Sequence, residues 1–308
     1  YWWKVECADK NGKSGRSQTW MFTVGNTGTA AASAAASTNK TAQPSGNYQV
    51  YNDWIKSLEQ VLSDINSLPP DAKEAAGALG LSEKVDEGIS SIRNTIRDLD
   101  ALQFRKDLSD LDKQAEGERI IQEADNNYQK APISIELLSS SAFVDYIKKE
   151  ELDSLLTTYI ETKKITSDVD KKAALKFLEE LQQEVVISTK IKTARITFTD
   201  GTQIDASIVI REIKAYNITG GAFLLEVIPK DVIEEAKDIM SSQTYIIVKQ
   251  DPIIRFELKG DTVISYYVEA KLDEEALKKI RTAVFVEPDS IEPSDEITGF
   301  SIRNIKLP

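Results

Sequence analysis

The chain has 308 residues, 41% of them hydrophobic, with 50 acidic and 38 basic side chains and a net charge of −12. That acidity argues against nucleic acid and against an anionic membrane surface, since both need a basic footprint. The chain also contains no histidine, which removes Ser-His-Asp triads, Cys-His pairs and most zinc or iron centres, and leaves carboxylate-pair hydrolases and oxygen-ligand calcium sites open.

Residues 1–24 open with the period-2 alternation of a half-buried strand. Tyr1, Trp3, Val5 and Cys7 share one face, and Trp2, Lys4 and Glu6 the other. Asp9-Lys10-Asn11-Gly12 is turn chemistry, and Trp20, Phe22 and Val24 alternate again from Thr19 onward. The pair resembles the last two strands of a fibronectin type III domain. Trp3-Lys4-Val5-Glu6-Cys7-Ala8-Asp9 and Trp20-Met21-Phe22-Thr23-Val24 carry the match. A lone two-stranded hairpin is marginal in water, so the resemblance implies either a severed sandwich or strands that complete a sheet elsewhere. Cys7 is the only cysteine, which excludes an intrachain disulfide and reads most simply as a small buried hydrophobe. No apolar run reaches bilayer length and no signal-peptide pattern is visible, so the expectation is a mature or excised piece of something longer.

Residues 25–47 are almost entirely Gly, Ala, Ser, Thr, Asn and Pro. Such a stretch cannot bury enough apolar area to offset its ordering entropy, and it reads as a flexible linker. Asn39-Lys40-Thr41 is an N-glycosylation sequon within it. From Tyr48 the period changes. Ile55, Leu58, Val61, Leu62, Ile65 and Leu68 mark one helical face, closed by Pro69-Pro70. Val85, Ile89, Ile92, Ile96 and Leu99 follow a 4-3-4-3 row close to a coiled-coil seam, continued in a shifted register by Phe104, Leu108, Leu111 and Ala115. Further helices are expected over Ser140–Thr162, through Phe143, Ile147, Leu152, Leu155, Leu156 and Ile160, and from Ser167-Asp168 onward. Residues 48–184 therefore read as a helical bundle or stalk.

Residues 185–308 read as an antiparallel β domain with short helices. Val186–Phe198 and Gln203–Ile213 alternate well and flank Asp200-Gly201, a strong hairpin signal. Asn217-Ile218-Thr219 is a second sequon. Strands follow at 223–228, 245–249, 253–258 and 262–269, with short helices at 231–240 and 272–280 and a last short strand at 283–286. Glu226-Val227-Ile228-Pro229-Lys230, then Asp251-Pro252-Ile253-Ile254-Arg255-Phe256, then Leu258–Val268 resemble a β module repeated in archaeal cell-surface and secreted proteins. The resemblance covers about 185–285. It implies an extracellular structural module and brings no enzymatic residues with it.

Glu287, Asp289, Glu292, Asp295 and Glu296 cluster in ten residues and are candidate Ca²⁺ ligands, although the spacing is not that of an EF-hand. Asn39 and Asn217 are candidate glycosylation sites. Trp2, Trp3 and Trp20 are candidates for a sugar-binding platform. No P-loop or dinucleotide fingerprint appears, and no catalytic residue or organic cofactor is indicated. The expected fold class is α+β and multidomain: a fibronectin III-like hairpin, a helical bundle or coiled coil, and a β-sandwich-like domain. The expected function is a non-enzymatic assembly module of an extracellular archaeal surface protein, a glycoprotein whose partners are itself, other surface proteins or glycans. The alternatives are an adhesin or carbohydrate-binding module, and an accessory region of a surface hydrolase.

Overall fold

Proline and glycine set the ends of the first helices. In the computed structural model, which describes residues 6–8, 14–16, 48–164, 171–215 and 221–287, α1 (Gln49–Asn66) buries Ile55, Leu58, Val61 and Ile65 along one face. It stops before Pro69. Pro70 then occupies the first turn of α2 (Pro70–Ala78), where a missing N–H loses no helical bond. Gly80, at φ 62°, takes the left-handed position after α2, and α3 (Leu81–Gln103) follows at once. Val85, Ile89, Ile92 and Leu99 of its 4-3-4-3 row are buried. The continuation through Phe104 and Leu111 is corrected. Ser109 opens α4 (Asp110–Gln129) with a capping box to Asp112, leaving Phe104 and Leu111 79% and 76% exposed.

The chain forms two compact units. Within the described helices, strands and loops from residue 48 onward, the first comprises 48–73, 81–137 and 195–203. The second comprises 74–80, 138–164, 171–194, 204–215 and 221–287. In the first, α3 packs against α1 and α4. Gly88 lets α3 approach Leu58 of α1, where a Cβ would lie 3.4 Å from the leucine. Trp54 of α1 stacks on Tyr128 of α4 at 4.3 Å.

Residues Pro132–Asp145 form strand β3, so the helix expected from Ser140 is corrected to α5 (Lys149–Lys163). Phe143 and Ile147 are four apart and mimic a helical face, but both pack on the core from extended chain. α5 starts where the Glu151 carboxylate accepts from the Lys148 N–H at 3.1 Å. α6 (Lys171–Gln183) leads into β4 (Val185–Phe198) and β5 (Gln203–Ala215). At the tip joining these strands, Gly201 has φ 84° and Asp200 accepts from the Thr202 N–H at 2.8 Å. That is the turn the sequence announces.

β6 (Phe223–Val227), β7 (Ile246–Lys249), β8 (Ile253–Glu257), β9 (Thr262–Val268), α7 (Glu274–Leu277) and β10 (Arg281–Phe285) complete the described chain. The helix expected over 231–240 is corrected to a three-residue 3₁₀ turn, Ala236–Asp238. The apolar spacing of Val232, Ile233, Ala236 and Ile239 is helical, but backbone bonds there go elsewhere, from Ala236 to Gln250 and between Met240 and Tyr267.

Two four-stranded antiparallel sheets result, in the orders β3-β4-β5-β9 and β10-β6-β8-β7. With seven helices among the described residues, the fold is mixed α and β. α5 and α6 pack beside β10, and their leucines join the core of the second unit. Near the N-terminus, β1 (Glu6–Ala8) pairs antiparallel with β2 (Ser14–Arg16). The second strand expected at 19–24 lies outside the described residues. No helix among them is long and apolar enough to cross a membrane.

Candidate interaction site

A sheet edge carries unpaired N–H and C=O groups, and proteins normally blunt it. The four edges of the two four-stranded sheets are treated differently. On β9, Met240 exchanges two backbone bonds of 2.8 Å with Tyr267. The Gln243 amide then takes the Ser265 N–H at 3.1 Å and donates to the Val263 carbonyl at 2.5 Å. On β10, Gln182 of α6 accepts from the Val284 N–H at 3.1 Å and donates to its carbonyl at 2.7 Å. In both places a glutamine side chain stands in for a neighbouring strand. β7 is four residues long, is bulged between Ile247 and Lys249, and ends in a lysine, all devices that discourage pairing.

β3 has none of these protections. It is fourteen residues long, it ends its sheet, and among the described residues no backbone bond reaches it from outside that sheet. Its only proline is the first residue, and it contains no lysine. In the second unit its last residues expose Ser139, Ser140, Ala142 and Val144, the last by 64%, and Tyr146 just beyond is 85% exposed.

Beside this end of β3 lies a groove of about 450 Å³, bounded by 144–147, the start of α5, the end of α6 and 185–187. Thr282, 5% exposed, lines it with a hydroxyl that has no hydrogen-bond partner. Lys149 and Glu179 pair at 2.6 Å within the lining.

Beneath the groove a buried polar network ties the two sheets together. Arg211 of β5 donates to Glu226 of β6 at 2.9 Å and to Asp145 of β3 at 3.0 Å. Thr189 accepts from Arg211 and donates to Asp145, and Tyr266 donates to Glu226. Burial, then the Glu226 carboxylate, hold the Tyr266 phenol far above its ordinary pKa, so it remains a donor. Both carboxylates are paired with Arg211, and the network ties the end of β3 to β4, β5 and β6.

Elsewhere in the second unit, burial alone would raise the Glu74 carboxyl, but Lys190 and Lys192 outweigh it and hold the pKa below its ordinary value. In the first unit, a polar groove of about 610 Å³ between α3 and α4 holds Arg119, which pairs with Glu116 at 2.7 Å and Glu123 at 3.2 Å.

Of the acidic cluster read from the sequence, Glu287 is described. It is ion-paired with Arg255 and accepts from the Tyr159 hydroxyl at 2.9 Å. Burial, then Glu287, raise the Tyr159 pKa. Asp289, Glu292, Asp295 and Glu296 lie outside the described residues, as do Asn39, Asn217, Trp2, Trp3 and Trp20. Among the described residues no three His, Cys, Asp or Glu side chains gather where a metal ion could sit. The plugged and open edges were not anticipated from sequence, because Gln182 and Gln243 look like ordinary surface residues. Arg211 and Glu226 do leave a signal, as charges inside the apolar runs Ile208–Ile213 and Phe223–Ile228.

No protein family matches this chain, and no curated protein and no solved structure matches it.

Proposed function

We propose that this chain is a non-enzymatic structural module of an extracellular archaeal surface protein, and that it joins its neighbours through a strand edge. The observation that carries the reading is the contrast among the edges. β9 and β10 are closed by side-chain amides and β7 is short and bulged, while β3 is long, uncharged over Leu137–Val144 and open. An edge left in that state is a template for another strand. The buried ionic network supports the same reading, because it anchors Asp145 at the end of β3 and keeps the edge rigid. The setting outside the cell rests on the resemblance of Glu226–Val268 to archaeal surface modules, on the fibronectin-like hairpin and on the two sequons. The helices of the first unit serve as a spacer.

Light scattering on the full chain over a concentration series tests this. The expected result is a mass that rises with concentration, and a Val144→Lys variant that stays monomeric, since a lysine on an open edge opposes pairing. A wild-type chain that remains monomeric throughout contradicts the proposal.

A further inference from the structure

Edge-to-edge addition of strands between copies takes one of two forms. Head-to-tail addition needs two different open edges on each copy, whereas addition across a two-fold axis joins an edge to itself. In the two four-stranded sheets, side-chain amides cap β9 and β10, and β7 is short and bulged, so among the described strands β3 is the edge a copy has to offer. β1 and β2, three residues each, are too short to run along it. The described strand of a second copy that fits the β3 edge is therefore β3 itself. Charge selects the same stretch. Two copies of a chain with a net charge of −12 repel one another, and a shared interface has to avoid opposing their carboxylates. Leu137–Val144 is a run of eight residues without a charged side chain, lying between Glu136 and Asp145.

We propose that β3 of one copy pairs antiparallel with β3 of a second copy over Leu138–Val144, about a two-fold axis at Ser141, joining two four-stranded sheets into one sheet of eight. This rests on the assembly reading above and names the partner strand, its direction and its register. A two-fold axis normal to a sheet reverses the strand and keeps each face on its own side. Directly opposed residues are then both even-numbered or both odd-numbered, because side chains alternate between the faces. Glu136 and Asp145 differ in that respect, so these two carboxylates never stand opposite each other in such a pair. An axis at Ser141 also keeps both outside the paired stretch. It sets Leu138 of one copy against Val144 of the other, and Ser140 against Ala142. Ser140, Ala142 and Val144 share the face that is exposed in the single chain, Val144 by 64%, and the pairing covers that valine with a leucine. Apolar pairs across neighbouring strands stabilise a sheet. An axis at Ser140 would instead set Val144 against Glu136.

Disulfide trapping in the full chain tests the pairing. With Cys7→Ser as background, Ser140→Cys and Ala142→Cys are made as separate preparations; both positions are exposed. In the proposed register, position 140 of one copy lies directly opposite position 142 of the other, within disulfide reach. Position 140 faces its own counterpart only on a diagonal of about 7–8 Å, as does position 142, at or past the limit for a disulfide. Mixing the two preparations under mild oxidation is expected to give a linked dimer in high yield, with little from either alone, and Val144→Lys in both is expected to abolish it. Light scattering on the unsubstituted chain is expected to rise with concentration to twice the chain mass and stop there, since a two-fold pair consumes both open edges. A link formed as readily by either preparation alone overturns the proposal, as does a link insensitive to Val144→Lys or a mass that climbs past the dimer. If the mass rises with concentration while the mixture forms no link, the assembly reading stands and β3 is not the partner strand. If the mass stays that of a monomer and no link forms, both fail.

Discussion

Arg211→Met is expected to lower the stability of the protein by about 3–5 kcal/mol, the usual cost of stranding a buried ionic partner. Arg211 is wholly enclosed and holds Glu226, which is equally buried, together with Asp145. Without the guanidinium, Glu226 keeps only the Tyr266 hydroxyl as a hydrogen-bond partner within this network. The triple variant Arg211→Met, Glu226→Leu, Tyr266→Phe is expected to recover part of the loss, because it replaces the fully buried members of the network by apolar residues while Asp145 keeps only Thr189 as its partner within it. Denaturant unfolding followed by circular dichroism measures both. A single variant within about 0.5 kcal/mol of the parent, the range of an ordinary surface change, would show that the network adds no stability.

The second large effect is expected at Phe223, the first residue of β6. Its ring lies 5.5 Å from Tyr159 and 6.1 Å from Phe285, with the Arg255 guanidinium 4.7 Å from its centroid. Phe223 is 1% exposed, so Phe223→Ala removes apolar area, leaves a cavity and takes away the surface on which Arg255 rests. A loss of about 3–5 kcal/mol follows, with Phe223→Leu costing less because it keeps more of the volume. Phe104→Ala provides the contrast. That residue is 79% exposed, and its removal is expected to change stability by less than about 0.5 kcal/mol. Equal losses at the two positions would contradict this account of the core.

The strands of the C-terminal region were legible because their turn chemistry is local. Asp200-Gly201, Pro229, Asp251-Pro252 and Gly260 punctuate runs that do alternate, and β4 to β9 fall close to where the alternation puts them. β3 was not legible. Phe143 and Ile147 carry a helical spacing, while its true partner is β4, some forty residues away. The segment after Pro229 misled in the same way, because its apolar spacing serves a loop whose hydrogen bonds are long-range. The candidate site was the least legible part. Which edge is closed depends on Gln182 reaching Val284 and Gln243 reaching β9, and nothing in the residues themselves distinguishes those glutamines from solvated ones. The acidic cluster stood out in the sequence by composition, yet its one described member, Glu287, binds Arg255 and Tyr159.

Amide hydrogen exchange on the full chain at low and high protein concentration tests most directly whether β3 is the working edge. The account predicts that amides in Leu138–Asp145 gain protection as concentration rises, while those on the outer edges of β9 and β10, already bonded to Met240, Gln243 and Gln182, do not change. Unchanged exchange along β3, or a gain confined to another edge, would contradict it.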